Sequence, residues 1–163
     1  MILECSKSIA VIREQLNASI VERVEEDGAG EVGEVHYLAH HPVVPQDKQT
    51  TKVRVVYDAS AKKNGGSSLN DWLYSGSPLS EAIADVLIRF RCHKTALVGD
   101  LKKAFLMISV AEDDHDALSF LWFDDLSSEE PKIIAFRFAH VAFGLSSSPF
   151  LQNATLKHHI MIY

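Results

Sequence analysis

One carboxylate stands where a hard cation could be held: Asp100, which closes the short apolar run of residues 94–100. A run of that kind reads as a strand, and a carboxylate at a strand end reaches the rim of a sheet, where ligands sit. Oxygen donors suit Mg2+. Two-ion phosphoryl transfer asks for more than one carboxylate, because several are needed to hold ions about 4 Å apart. Taken bare, an aspartate at a strand end is more often a cap or a surface residue than a catalytic one. Arg54 lies in the alternating run 52–58, where an arginine ordinarily solvates the outer face of a strand. Its planar guanidinium also fits phosphate oxygens. Arg54 and Asp100 converging on one triphosphate is the geometry expected if both carry chemistry.

Other polar clusters point less clearly to a ligand. His40-His41 and His158-His159 are adjacent pairs. Neighbours on a strand face opposite sides, and neighbours on a helix sit about 100° apart, so neither pair is set to chelate. Helical zinc motifs use an i, i+4 spacing instead. Asp113-Asp114 and Asp124-Asp125 fall in polar turns, where carboxylates are solvated. Cys5 and Cys92 are far apart and form no metal-binding spacing, as expected of two thiols in a reducing compartment.

The elements that would position these groups follow from periodicity. Ile9, Ile12, Leu16, Ile20 and Val24 recur at steps of three and four, predicting an amphipathic helix over residues 8–24. The acidic, glycine-rich stretch 25–34 ends it as a solvated loop. Residues 35–44 read as extended, with Pro42 excluding a helix. Residues 52–58 read as a strand with Val53, Val55 and Tyr57 on one face, followed by loop over 61–71. A helix starts near Ser80 as its cap, with Ile83, Val86, Leu87 and Phe90 sharing a face. After the strand 94–100 comes a tight turn into a second strand ending near Val110, then a polar turn or short helix over 111–116. Residues 117–123 and 132–138 predict a hairpin, and Pro149 suits the first turn of a last helix from Phe150 to about Met161. Helices mixed with antiparallel strands predict an α+β fold.

The totals of 163 residues, 47% hydrophobic and 23% charged, fit one domain or a piece of a larger one with a buried core. No stretch approaches the roughly 20 apolar residues of a membrane span, and no signal-peptide pattern opens the sequence. The expectation is a soluble intracellular protein, in cytoplasm or nucleus. The net charge of −6 weighs mildly against nucleic acid, yet Lys48, Lys52, Arg54, Lys62 and Lys63 form a basic arm between two acidic stretches.

Five blocks taken together resemble one family. Residues 50–62 (TTKVRVVYDASAK), 68–73 (SLNDWL), 95–110 (TALVGDLKKAFLMISV), 118–125 (LSFLWFDD) and 141–160 (VAFGLSSSPFLQNATLKHHI) resemble the reverse transcriptase of BEL/Pao-type retrotransposons. The upstream helix and residues 36–44 (HYLAHHPVV) match that family's approach to the domain. The resemblance implies a helix and acidic loop over 1–34 leading into a partial reverse-transcriptase domain over 35–163. That domain would be the fingers and part of the palm of a right-hand polymerase.

The implied roles are specific. Asp100 would be the first catalytic, metal-binding aspartate, with the Leu101 backbone carbonyl on the same Mg2+. Arg54 would hold the triphosphate of an incoming dNTP, met also by the backbone amides of Lys103 and Ala104. Phe105 would lie under the sugar and exclude a 2′-hydroxyl. Phe143 and Gly144 would line the nucleotide pocket, with Gln152 on the helix behind it. The implied partners are an RNA or DNA template–primer and the rest of a retrotransposon polyprotein. The implied activity is RNA-directed DNA polymerisation; the alternative is a non-catalytic retrotransposon remnant that at most binds nucleic acid or nucleotide. Two departures stand out. Ala142 replaces the proline of the usual VPFGL, which loosens a turn without removing chemistry. The family's aromatic–x–Asp–Asp hairpin, expected after the helix with His158 and His159, does not occur within these residues, so this stretch is expected not to polymerise alone.

Overall fold

The computed structural model describes residues 2–24, 35–43, 53–63, 65–124, 128 and 130–162, with the side chains of residues 2–7 outside the description. The acidic stretch 25–34 expected as a loop lies outside it too.

Helix α1 runs Ile2–Asn17, shorter at its end than its periodicity suggested. The reason is local. Ser19 adopts a left-handed φ of 54°, Ser19 N–H donates to Leu16 O at 3.0 Å and Ile20 N–H to Gln15 O at 2.9 Å. This is a Schellman closure, which satisfies the orphan carbonyls and turns the chain. Ile20 and Val24, spaced as if helical, therefore belong to the next strand and its flanks.

That strand, β1 (Val21–Arg23), pairs antiparallel with β5 (Ile133–Phe138), Val21 opposite Phe138. On its other side β5 pairs antiparallel with β4 (Ser119–Phe123), Ser119 opposite Arg137 and Phe123 opposite Ile133. The expected hairpin is present, though residues 125–127 and 129 of its loop lie outside the description. A second sheet joins β2 (Ala39–Val43) to β3 (Arg54–Asp58), also antiparallel. A parallel bridge from Tyr37 to Ser119 ties the lead-in of β2 to β4. The architecture is mixed α+β with antiparallel sheets.

The core lies where the two sheets and α1 meet. Phe120, Phe136 and Phe138 join Tyr57, Ile12 and Leu38, all buried. Tyr57 sits edge-on to Phe120 at 5.0 Å and to Phe138 at 4.8 Å, an arrangement favoured by the ring quadrupoles.

Four expectations change. A short helix α2 (Leu69–Trp72) forms in the segment read as loop: Leu69 is its buried anchor, and the Asp71 carboxylate accepts the Ser68 N–H at 2.9 Å. Helix α3 (Ile83–Cys92) forms with Ala82 as N-cap rather than Ser80, and none of its residues is buried. Residues 96–100 belong to no strand, with Leu97 92% exposed. Beyond them Ala104–Met107 is a 3-10 turn, and Ser109 makes only an isolated bridge to His140, not a strand. The 3-10 helix Glu112–Leu118 occupies the polar turn, and α4 (Ser148–Ile162) carries Pro149 in its first turn.

Candidate functional site

Strand alternation sets up one wall of a cleft. Val53 and Tyr57 are buried while Arg54, Val56 and Asp58 face outward. Between α1 and β3 lies a cleft of about 570 Å3, walled by Val11 and Gln15 on one side, by Val53 and Arg54 on the other, and closed by Phe143 and Gly144. Three of the residues singled out by resemblance, Arg54, Phe143 and Gly144, thus meet in one place although some 90 positions separate Arg54 from Gly144.

Gly144 is there for a physical reason. Its φ is +95°, and a Cβ would lie 2.6 Å from the Tyr57 carbonyl oxygen. Only glycine accepts both that conformation and that approach. The same turn is held by Asn70 of α2, whose Nδ2 donates to Gly144 O at 2.9 Å and to Ser60 Oγ at 2.8 Å, while its Oδ1 accepts Ser146 N–H at 2.8 Å. Sequence reasoning missed Asn70. It lies in the segment 61–71, which reads as loop from its sequence.

A smaller hollow of about 170 Å3 lies beside α4, lined by Leu101, Ala104, Ile108 and Gln152. Lys103 and Ala104 both have positive φ, 61° and 33°. For residues with a Cβ this is strained backbone. Successive amides in such a turn form a concavity suited to anions. The Lys103 ammonium lies 3.4 Å from Glu14 on α1. The Phe105 and Phe143 rings meet edge-on with centroids 4.9 Å apart, which links this turn to the mouth of the cleft.

Asp100 stands apart. It is exposed and lines neither hollow. As a hard oxygen donor it suits Mg2+, but among the described residues no cluster of three or more His, Cys, Asp or Glu is placed to hold a metal. One carboxylate is short of the donor set for two ions. Arg54, Phe143 and Gly144 are therefore brought together, Leu101, Ala104 and Gln152 are brought together beside them, and Asp100 joins neither group.

Among the described residues, Gln15 Oε1 and Tyr57 Oη are buried and find no hydrogen-bond partner. Both belong to residues lining the cleft. Burial pushes the Tyr57 phenol far up, so it stays a neutral donor. Periodicity marked both residues only as helix and strand positions. Of the histidine pairs, His40 packs on Tyr57 and Trp122, centroids 5.7 and 5.0 Å away, while His41 is exposed. Burial among the rings lowers the His40 pKa, against a backbone hydrogen bond that raises it.

No family model matches the chain. No curated protein matches it either.

On the far side of the core, Glu22 accepts Arg137 Nε at 2.6 Å and lies 3.1 Å from His115 Nδ1, while Arg137 Nη1 donates to Asp116 at 2.7 Å. Burial pushes the Glu22 carboxyl up, but the hydrogen bonds from His115 and Arg137 outweigh it and the pKa falls below its ordinary value. This network ties β1, β5 and the 3-10 helix together. It lines neither of the two hollows described above and reads as scaffold. No helix among the described residues is long and apolar enough to cross a membrane.

Proposed function

We propose that this chain is the fingers and part of the palm of a reverse transcriptase, by descent an RNA-directed DNA polymerase, whose α1–β3 cleft receives the incoming dNTP. The observation that carries this reading is the meeting of Arg54, Phe143 and Gly144 in one cleft. Arg54 supplies a charge-assisted fork for phosphate oxygens. The apolar walls, Val11, Val53, Val55 and Leu106 among them, suit a base or sugar. Phe105, whose ring meets Phe143, would lie under the sugar, as the resemblance implies.

Within these residues Asp100 is one carboxylate of a site that needs several. The stretch by itself binds nucleotide and does not polymerise; joined to a segment bearing the other carboxylates, it contributes Asp100 and the Leu101 carbonyl to a Mg2+ site. A primer-extension assay on the purified chain with Mg2+ or Mn2+ tests this. The expected result is no extension, and template-dependent synthesis contradicts it.

The exposure of Asp100 favours a second reading, a retrotransposon remnant that binds template–primer without chemistry. Its mark is salt-dependent affinity that falls on substitution of Lys52 or Arg54. Coding sequence for an aromatic–x–Asp–Asp hairpin after Tyr163 counts for the first reading.

A further inference from the structure

We propose that Asn70 is a positioning residue: its side-chain amide clasps the turn 143–146 to the exit of β3 and so sets how Phe143 and Gly144 stand across the mouth of the cleft. The inference deepens the nucleotide reading of that cleft and rests on it for its consequence in binding.

The amide is fully used. Gly144 O accepts only, so the atom facing it must be nitrogen; Ser146 N–H donates only, so the atom facing it must be oxygen. The two partners fix the orientation of the amide with no freedom to flip. The second Nδ2 hydrogen reaches Ser60 Oγ, and the Asn70 backbone N–H donates to Ala59 O at 3.0 Å. One residue thus holds four points on two segments that are remote in sequence. Ser60 is itself fixed, its N–H donating to Asp58 Oδ1 at 2.9 Å.

The clasp matters because the turn it holds is under two constraints. Gly144 presses on the Tyr57 carbonyl with no room for a Cβ, and Phe143 must reach the Phe105 ring. Van der Waals contact alone sets a minimum distance between turn and strand. The hydrogen bonds from Asn70 supply the attraction that keeps the turn at that distance. Phe143 is 52% exposed, and among the described residues its ring contact is with Phe105.

The two ends of the amide can be cut separately. Asn70→Ala removes both. Asn70→Asp keeps an acceptor for Ser146 N–H but sets a carboxylate oxygen against the Gly144 carbonyl, where no donor remains. In the 163-residue chain, amide hydrogen exchange by NMR should show Ser146 exchanging about tenfold faster in Asn70→Ala, the loss of one hydrogen bond of roughly 1.4 kcal/mol, and little changed in Asn70→Asp. The nuclear Overhauser contact between the Phe105 and Phe143 rings should disappear in both variants, while exchange in the β4–β5 ladder stays as in wild type. Unchanged ring contact in both variants overturns the proposal. So does faster exchange in the β4–β5 ladder in step with Ser146, which marks Asn70 as general scaffold. Affinity for dATP with Mg2+ should fall about tenfold in both variants. A wild-type chain that binds no dATP sinks the nucleotide reading, whereas the clasp stands or falls on the exchange and ring-contact results alone.

Discussion

The hairpin β4–β5 and the stretch 81–102 carry similar apolar content and meet opposite fates. In the hairpin, Phe120 is fully buried and Phe136 and Phe138 nearly so. In the stretch 81–102 every residue is exposed, including Ile83, Leu87 and Leu97. The difference lies in neighbours. β5 has β1 on one side and β4 on the other, so its backbone groups are paired, and its inward Phe138 and Phe136 meet Tyr57 of β3 and Phe120 of β4. Residues 96–100 have no ladder partner among the described residues, and apolar side chains without a ladder do not make a strand. Apolar patterning states what a segment can bury, and only a neighbour decides whether it does.

The largest test of this contrast is a truncation on each side of it. Phe120→Ala should destabilise the chain by about 3–5 kcal/mol in urea denaturation, the usual cost of an emptied aromatic site. Leu97→Ser should change stability by less than about 0.5 kcal/mol. A comparable loss from Leu97→Ser would mean that residues 96–100 pack after all.

A smaller effect is expected at the cleft. Gly144→Ala meets both a positive φ and the Tyr57 carbonyl, so a cost of about 1–3 kcal/mol should appear in the same assay, with weaker binding of dATP. A neutral substitution there would refute the close approach of the turn to β3. The exposed stretch should also drive self-association, since large apolar patches seek cover. Sedimentation should show wild type associating at high concentration and the double variant Leu97→Ser/Val98→Ser doing so less; a monodisperse wild-type monomer contradicts this.

The smallest effects are in pH dependence, and they belong to the packed side. His40 has its pKa lowered from 6.5 by burial, so the unfolded chain takes up the proton first and stability falls as pH drops below 6.5. Glu22 has its pKa lowered from 4.5, so its contribution is complete above 4.5 and is lost as pH falls through the lower folded value. Thermal melts of His40→Phe should lose the first decline and keep the second. Unchanged slopes in both ranges would mean that His40 is not buried neutral.

How much was legible in the sequence divides along the same line. The hairpin was readable from two apolar runs around a polar loop, β3 from its alternation of Val53, Val55 and Tyr57, and the last helix from Pro149 at its first turn. The end of α1 was not, because a serine took the left-handed position usually held by glycine and the spacing of Ile20 and Val24 ran on as if helical. At the site, Arg54, Phe143 and Gly144 were found by resemblance and the fold brings them together. Asn70 and Gln15 were missed, since a side-chain amide earns its role only from partners distant in sequence. Asp100, read as the end of a strand, stands on a segment that joins no sheet and lines neither hollow.

The measurement that bears most directly on the account is an NMR titration of the chain with dATP and Mg2+, beside the Arg54→Ala variant. The account predicts saturable shifts at Arg54, Phe143 and Gly144 that are lost when Arg54 is replaced. Absent binding, or shifts confined to residues away from the α1–β3 cleft and indifferent to Arg54, would contradict it.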